Sequence, residues 1–348
     1  MDQFNAKLGP DSSHRAANVA QDPYAAAKFF FFIINTVLST LFGIEVSKDH
    51  VYSQPGLLGR ITGYFGVVEA QGRGTLHVHM LLWLEDSPNA EEMHLLLQRE
   101  SFRERIQEFI KENIRAHVDG LDEETIKVMP REAQLAYSRP PNPDEQDWTE
   151  QFTDKLCRVV RSQQIHTCTR MTCLRYNKHG HLTCKRRAPW ELSMEEEIDT
   201  DGRYKPRRTV PFMNNFCPAI SVSLCCNNDI KLLSNGSDTK DCIWYSTTYQ
   251  SKKQGKNHNI SALMAKSMLY HASHTSHVDD ILDRNRLLIF RCQHALNREM
   301  ELSAPQVIAY LMRWGDHLCS HRYVPLYWSA LQYQLVMEFE ELRGGGNV

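Results

Sequence analysis

The sequence predicts an α+β fold in which helices flank an antiparallel sheet and a Cys/His-rich segment is inserted between them. Three observations lead to this prediction. Two strand-like segments face each other across a glycine-containing turn, helical spacing of apolar residues occupies most of the remaining chain, and cysteines and histidines crowd residues 166–184. The 348 residues, 42% of them hydrophobic, suffice for one large domain with an insertion or for two domains.

Charge is distributed unevenly along the chain, although the net charge is only −2. Residues 85–154 carry a balance of −10 and residues 170–260 a balance of +6. We therefore expect any polyanionic partner to meet the second region. No signal peptide opens the sequence and the ten cysteines are clustered, so we expect a reducing compartment and no secretion.

The first strong helix is predicted over residues 23–42, which are very apolar. Asp22 suits the N-cap, Pro23 the first helical position and Gly43 the stop. The apolar run is broken by Lys28 and by four uncharged polar residues, whereas a membrane span needs about 20 consecutive apolar residues. We therefore predict a buried core helix and no membrane partner.

A β-hairpin is predicted over residues 60–84. Aromatic and β-branched residues fill positions 60–71, two glycines mark the turn, and "LHVHMLLWL" returns along positions 76–84. The continuous apolar end of the return strand is typical of a central strand. Because side chains alternate along a strand, His77 and His79 point to the same face.

The residues opposite the two histidines make this hairpin a candidate divalent-metal site. If residues 73–75 form the turn, Gln71 lies opposite His77 and Glu69 lies opposite His79, at Cβ distances of about 4.5–5.5 Å. Glu69 is favoured as third ligand because a carboxylate suits a hard cation. The alternatives are a buried histidine pair satisfied by the backbone, or a solvated face.

Apolar spacing and composition also predict the elements in the middle and the last part of the chain. Residues 90–118 and 152–165 predict helices, and residues 138–148 form a proline-rich acidic loop. Residues 219–226, "AISVSLCC", predict a strand. Residues 239–254 and most of the chain after them predict helices.

The Cys/His-rich segment predicts a structural zinc site, because zinc takes four nitrogen or sulfur ligands in a tetrahedron. The best set is Cys168, Cys173, Cys184 and one histidine, with His166 slightly ahead of His181. A small segment with little apolar content needs some cross-link to fold, which favours metal binding. The alternative is a set of unpaired thiols in a basic loop.

A pair of tyrosines follows downstream. Tyr245 and Tyr249 are four residues apart, so on a helix both hydroxyls lie on one face, with Lys252 and Lys253 on their C-terminal side. By itself this spacing is more typical of core packing and implies no catalysis.

In this order, the pieces resemble the Rep (HUH endonuclease) domain of Helitron rolling-circle transposases, also called the Helitron helicase-like domain. The resemblance covers nearly the whole chain, and its most specific part combines residues 69–84 with the later paired tyrosines. It is carried by "DPYAAAKFFFF", "GYFGVVEAQGRGTLHVHMLLWL", the Cys/His segment, "CNNDIKLLSNGSDTKDCIWYSTTYQSKK" and "SAPQVIAYLMRWGDHLCSHRY".

The resemblance implies a chemistry for these residues. The hairpin would be the family's HUH hairpin, with His77 and His79 binding Mg²⁺ or Mn²⁺. Tyr245 or Tyr249 would attack a DNA phosphodiester and keep the 5′ phosphate as a phosphotyrosine. Tyr249 is favoured as first nucleophile because it lies nearer the two lysines. The implied function is metal-dependent nicking and joining of single-stranded DNA at transposon ends, with nuclear localisation.

The chain is divided accordingly into three parts. Residues 1–150 hold the first helix, the hairpin and an acidic helical segment, residues 151–210 the basic zinc-binding insertion, and residues 211–343 the tyrosine helix and a helical remainder. The resemblance also leads us to expect a helicase domain in the full-length family protein. No Walker-type GKS or GKT motif occurs in this chain, so no ATPase activity is expected of it.

Two other functions compete with this prediction. The chain could be a non-catalytic remnant whose zinc segment still binds nucleic acid, or a metal hydrolase that forms no covalent intermediate. Metal-dependent nicking of DNA would exclude the non-catalytic remnant. Trapping of a tyrosine–DNA adduct would exclude the metal hydrolase.

Overall fold

The computed structural model describes the chain in twelve stretches: residues 12–47, 50–70, 75–132, 135, 138–170, 173–235, 239–240, 243–244, 260–276, 278–298, 302–322 and 327–339. Helices and antiparallel strands are mixed along these stretches, as the predicted α+β class requires. The helices are α1 (Ser12–Gln21), α2 (Pro23–Thr36), α3 (Ala90–Leu97), α4 (Glu100–Asn113), α5 (Glu123–Val128), α6 (Trp148–Val159), α7 (Pro218–Leu224), α8 (Ile260–Ser273), α9 (Ile281–Arg298), α10 (Ala304–Leu311) and α11 (Trp328–Glu338).

The strands of the described residues form one three-stranded sheet and three two-stranded ones. The strands are β1 (Ile44–Val46), β2 (Val51–Ser53), β3 (Ile61–Ala70), β4 (Leu76–Leu84), β5 (Leu174–Tyr176), β6 (Leu182–Cys184), β7 (Glu197–Ile198), β8 (Tyr204–Lys205) and β9 (His317–Cys319). The larger sheet has the order β4–β3–β9 and is antiparallel throughout. The prediction that the return strand β4 is central was wrong: in the described part of the chain β4 pairs with β3 alone, and β3 is the central strand.

Helix α2 begins and ends where the sequence predicts. The Asp22 carboxylate accepts a hydrogen bond from the backbone N–H of Ala25 at 2.9 Å, and a π-helical turn, Val37–Leu41, extends the helix. Gly43 follows with φ +66°, and a Cβ there would collide with the Gln54 carbonyl oxygen. Only glycine therefore fits this stop without strain.

The prediction of a buried core helix holds for one face of α2. Ala27 and Phe31 are buried against the sheet side, but Phe29 and Phe32 are 65% and 62% exposed. By length and composition Pro23–Leu41 is the one helix among the described residues that could cross a membrane, a test that core helices of soluble proteins also pass. The absence of a membrane partner stays a prediction.

The two faces of the three-stranded sheet have different roles. Tyr64, Val68 and their neighbours on one face pack against α2, its π-turn and α10. Gly66 lies on this face, where a Cβ would come within 3.3 Å of the Met80 and Val78 side chains. Because side chains alternate, the other face carries Glu69 and the hairpin histidines. This second face is the candidate site.

Two local predictions between the hairpin and the C-terminal helices were wrong in detail. The helix predicted over residues 90–118 is two helices, α3 and α4, which separate at residues 98–99. Residues 219–226 were predicted as a strand but belong mainly to helix α7. Pro218, Ser221 and Val222 are buried at i, i+3 and i+4, which is a helical spacing that the β-branched and small residues concealed.

A second core supports the Cys/His segment. It contains Val118 and Leu121 from the loop after α4, Leu156 and Val160 from α6 and its π-turn, and Phe216 before α7. Bridges between residues 115 and 216 and between residues 165 and 213 join these segments. The Cys/His segment therefore leaves the core at Ile165 and returns to it at Met213.

Candidate functional site

The Cys/His segment forms a compact cluster. The ligand atoms of His166, Cys168, Cys173 and Cys184 all lie within 4.8 Å of one another, and Nε2 of His166 is 3.3 Å from Sγ of Cys184. Sulfur and nitrogen ligands at about 2.0–2.3 Å around a tetrahedral zinc are separated by similar distances. The donor set and its spacing therefore fit a metal such as zinc.

Three backbone segments build this cluster. The N–H of His166 donates to the Phe212 carbonyl at 2.7 Å, which fixes the first ligand to the second core. Strands β5 and β6 pair Leu174 with Cys184, so the hairpin brings the last cysteine beside Cys173. The N–H of Lys185 closes the arrangement by donating to the Cys173 carbonyl at 2.7 Å.

The structure decides between His166 and His181 as the histidine of the cluster. His181 lies on the turn between β5 and β6, where its N–H donates to the Asn177 side chain at 3.0 Å, and its own side chain is exposed. It is not a member of the cluster, whereas His166 is. His166 packs near the Trp190 ring, with centroids 6.1 Å apart.

The surroundings of Cys168 within the cluster favour its neutral thiol over the thiolate. Desolvation, and then hydrogen bonds with Cys184 and Cys173, raise the pKa of the Cys168 thiol to about 12. Zinc binds the thiolate and not the thiol, and its charge reverses this shift. Three thiols gathered around an imidazole are therefore explained better by metal binding than by a loop of unrelated cysteines.

The β3–β4 hairpin exists, but its register differs from the predicted one. Glu69 pairs with His77, and Val67 pairs with His79, which differs by two residues from the predicted pairs of Gln71 with His77 and of Glu69 with His79. A shift of two residues leaves every side chain on its original face. Glu69 and both histidines therefore still share one face, while Gln71 lies outside the described residues.

Contacts within the hairpin link the three side chains. Nε2–H of His79 donates to Oε1 of Glu69 at 3.0 Å, and the two imidazole rings are 4.8 Å apart between centroids. Burial lowers the pKa of His77, and the neighbouring imidazole of His79 lowers it further. His77 is therefore neutral at pH 7, which is the form that binds metal. Among the described residues, however, only the Cys/His cluster gathers three or more ligand atoms within metal-binding distance.

A third histidine on this face was missed by the sequence reasoning. Strand β9 lies on the far side of β3, and Val67 pairs with His317 there as it pairs with His79 on the near side. The His317 ring lies 5.7 Å from the Phe65 ring, centroid to centroid. The period-two spacing of His317 and Cys319 is a strand signal, but three residues are too few to predict pairing with β3.

The predicted nucleophiles and phosphate-binding lysines lie outside the described residues. These are Tyr245, Tyr249, Lys252 and Lys253. Their roles stay predictions.

Residues 3–82 match the family model described as "Helitron helicase-like domain at N-terminus". The chain is Helitron-related. The match includes Glu69, His77 and His79, and it ends before the Cys/His cluster and the tyrosine pair. It covers under a quarter of this Helitron-related chain. Comparison with curated proteins found no match, and comparison with solved structures found none either.

The family prediction is thus confirmed over the segment that contains the hairpin. A Helitron helicase-like N-terminal domain indicates a role related to Helitron transposases, and it is consistent with a nuclease or transposase family. Catalysis by this Helitron-related chain, its metal and its substrate are proposals.

Proposed function

We propose that this chain nicks and rejoins single-stranded DNA at transposon ends in a metal-dependent reaction with a 5′-phosphotyrosine intermediate. One observation carries the proposal: Glu69, His77 and His79 share one face of a hairpin that lies within the Helitron-matched residues. A carboxylate and two imidazoles form a ligand set suited to a divalent cation.

Glu69, His77 and His79 would hold Mg²⁺ or Mn²⁺, with Gln71 as a further ligand. Bound there, such a cation neutralises charge on a phosphate oxygen. The residues present fit this role because His77 is held neutral and the Glu69 carboxylate is already directed at His79. Metal binding requires imidazole nitrogens without a proton, so binding should weaken as the pH falls.

The proposed nucleophile is Tyr249, with Tyr245 acting on a second strand. The bond from the tyrosine oxygen to phosphorus forms, the bond from phosphorus to the 3′ oxygen breaks, and the phenol proton is lost. The 3′ oxygen takes up one proton and leaves as a hydroxyl. Covalent storage of the phosphate allows the reverse step to rejoin DNA. Lys252 and Lys253 would hold the phosphate as point charges.

The Cys/His cluster has a separate, structural part in this proposal. Zinc would order the basic segment after residue 166, which carries the positive charge that single-stranded DNA requires. The proposal also includes a helicase domain in the full-length family protein and a nuclear location.

A pool of end-labelled single-stranded oligonucleotides with a randomised centre tests the enzyme, because it does not require the target sequence. With Mn²⁺, the wild-type chain should produce cleaved DNA and a band of protein-linked DNA on a denaturing gel. His77→Ala with His79→Ala should abolish both products, and Tyr245→Phe with Tyr249→Phe should abolish the linked band. His94→Ala removes an exposed helical histidine and should change neither.

The same denaturing gel, run beside a native gel that detects bound oligonucleotide, decides between the alternatives. The Cys/His cluster in a basic segment favours a non-catalytic nucleic-acid-binding remnant as the second candidate. Binding of the pool without cleavage would support that remnant, and cleavage without a linked band would support a metal hydrolase. Either result would refute the phosphotyrosine mechanism.

A further inference from the structure

We propose that His317 is a proton-transfer residue of the hairpin site and that Asp316 is its positioning residue. The inference rests on the proposed function, and it assigns a third imidazole to the same face of the sheet as His77 and His79.

Register places His317 on the site face. Strand β9 pairs with β3 on the side away from β4, so Val67 has His79 on one side and His317 on the other. Residues paired across a ladder project to the same face, so these three side chains lie in one row across the sheet. Neighbouring strands are about 4.8 Å apart, which separates the backbones of His79 and His317 by about 10 Å. In the proposal, a phosphate group bound at the hairpin histidines lies on this face, on the same side of the sheet as His317.

Asp316 fixes the orientation of the imidazole. Nδ1–H of His317 donates to one carboxylate oxygen of Asp316, and the hydroxyl of Tyr310 donates to the other at 2.6 Å. Partial burial and the contact with Asp316 raise the pKa of Tyr310 to about 12, so Tyr310 remains a donor. A carboxylate bonded to Nδ1–H leaves Nε2 of a neutral imidazole as the proton acceptor, which is the arrangement of a general base and its orienting group.

Nε2 of His317 is accessible and unoccupied by the described residues. None of them forms a hydrogen bond to it, and 47% of the side chain is exposed. Strand β3 offers it the apolar Phe65 and Val67, and Tyr310 of helix α10 bonds to its partner Asp316. Cys319 is the next residue of β9 on this face, and Glu69, His77 and His79 are ionisable groups on the same face across the sheet.

The proposed step balances in protons and bonds. Nε2 of His317 accepts the phenol proton as the bond from the tyrosine oxygen to phosphorus forms. The bond from phosphorus to the 3′ oxygen breaks, and the imidazolium returns its proton to that oxygen. The residue is neutral again at the end of the step, so the reverse reaction can use it in the same way.

Single-turnover formation of the protein–DNA adduct, measured across pH, tests the inference. Loss of a general base costs about 10²–10⁴ in rate, so we expect His317→Ala to lose about that factor and to leave oligonucleotide binding unchanged. The pH dependence of the rate should differ between this variant and the wild type. Added imidazole should restore part of the rate. Asp316→Asn should lower the rate and change the pH profile, and His94→Ala should match the wild type.

The outcomes separate this inference from the proposed function. If the wild-type chain forms no adduct, both are overturned. If it does, and His317→Ala reacts at the wild-type rate with the wild-type pH profile, the assignment of His317 alone is overturned. His317→Gln keeps the size and polarity of the side chain without a base. A normal rate in that variant would show that His317→Ala had acted through structure, which also overturns the assignment.

Discussion

Replacing Cys173 by serine should release both the metal and the segment that surrounds it. Cys173 is 2% exposed and sits at the centre of the four-residue cluster, with its carbonyl bound by Lys185 and its neighbour Leu174 paired with Cys184. Serine keeps the size of the side chain but offers zinc a poor ligand. The substitution therefore removes one of four ligands with little change in packing.

The expected loss of zinc affinity follows from the number of ligands, and the expected loss of order follows from the small amount of apolar burial in this segment. Structural zinc binding is worth about 10–16 kcal/mol, so one ligand in four contributes about 3 kcal/mol, or roughly a hundredfold in affinity. Among the described residues between 166 and 190, only Cys173 and Ala188 are buried. Tyr176 and Leu182 of the β5–β6 hairpin are 71% and 42% exposed. Apolar burial cannot hold this segment once the metal leaves.

Elemental analysis, chelator competition and amide hydrogen exchange measure the effect together. Wild-type protein should carry about one zinc per chain, as expected for a closed structural site. The variant should bind it roughly a hundredfold more weakly. Amide exchange should quicken at Lys185 and Leu174, while the second core around Phe216 stays protected. Cys157→Ser is the matched control, because Cys157 lies outside the cluster and should leave zinc content unchanged.

The reasoning fails if the wild-type protein carries no zinc and its cluster thiols react freely. It also fails if Cys173→Ser keeps wild-type affinity, or if removal of the metal leaves exchange in residues 166–190 unchanged.

Two further predictions concern stability and are measured by urea unfolding. Gly43→Ala should destabilise the protein by more than Gly120→Ala. Both glycines have positive φ, which costs about 1–2 kcal/mol for alanine. Of these two positions, however, only Gly43 is one where the new Cβ would collide with a backbone carbonyl. Equal losses would refute this. Burial of the side chain lowers the pKa of His117, and the charge of Arg207 lowers it further. Because the folded protein disfavours protonated His117, its contribution to stability is present above the unfolded-state pKa of about 6.5 and is lost as the pH falls below that value. When the pH is lowered from 7 to 5.5, the free energy of unfolding of His117→Gln should fall by less than that of the wild type. The two decreases should differ by at most about 1.4 kcal/mol. An identical pH dependence would refute this prediction.

Much of the candidate site could be predicted from the sequence, because its signals are local. Asp22, Pro23 and Gly43 bound helix α2 and its π-helical turn by hydrogen bonding and backbone conformation that need no tertiary partner. The period-two spacing of His77 and His79 places them on one face whatever their neighbours are. The cysteine spacing and the weak apolar content around it predicted the cluster that the structure brings together.

Tertiary structure alone decided how these pieces meet. Alternation determines the face of a side chain but not its partner, so only the observed pairing of β3 with β4 showed which residue Glu69 opposes. Helix α7 formed in place of a strand because its buried residues pack on α6. The arrival of β9 beside β3 brings Ser320 to 2.9 Å from the N–H of Tyr64, across 256 residues of sequence. A three-residue strand has too few alternating positions to specify a distant partner, so only packing of the whole chain places His317 beside the hairpin histidines.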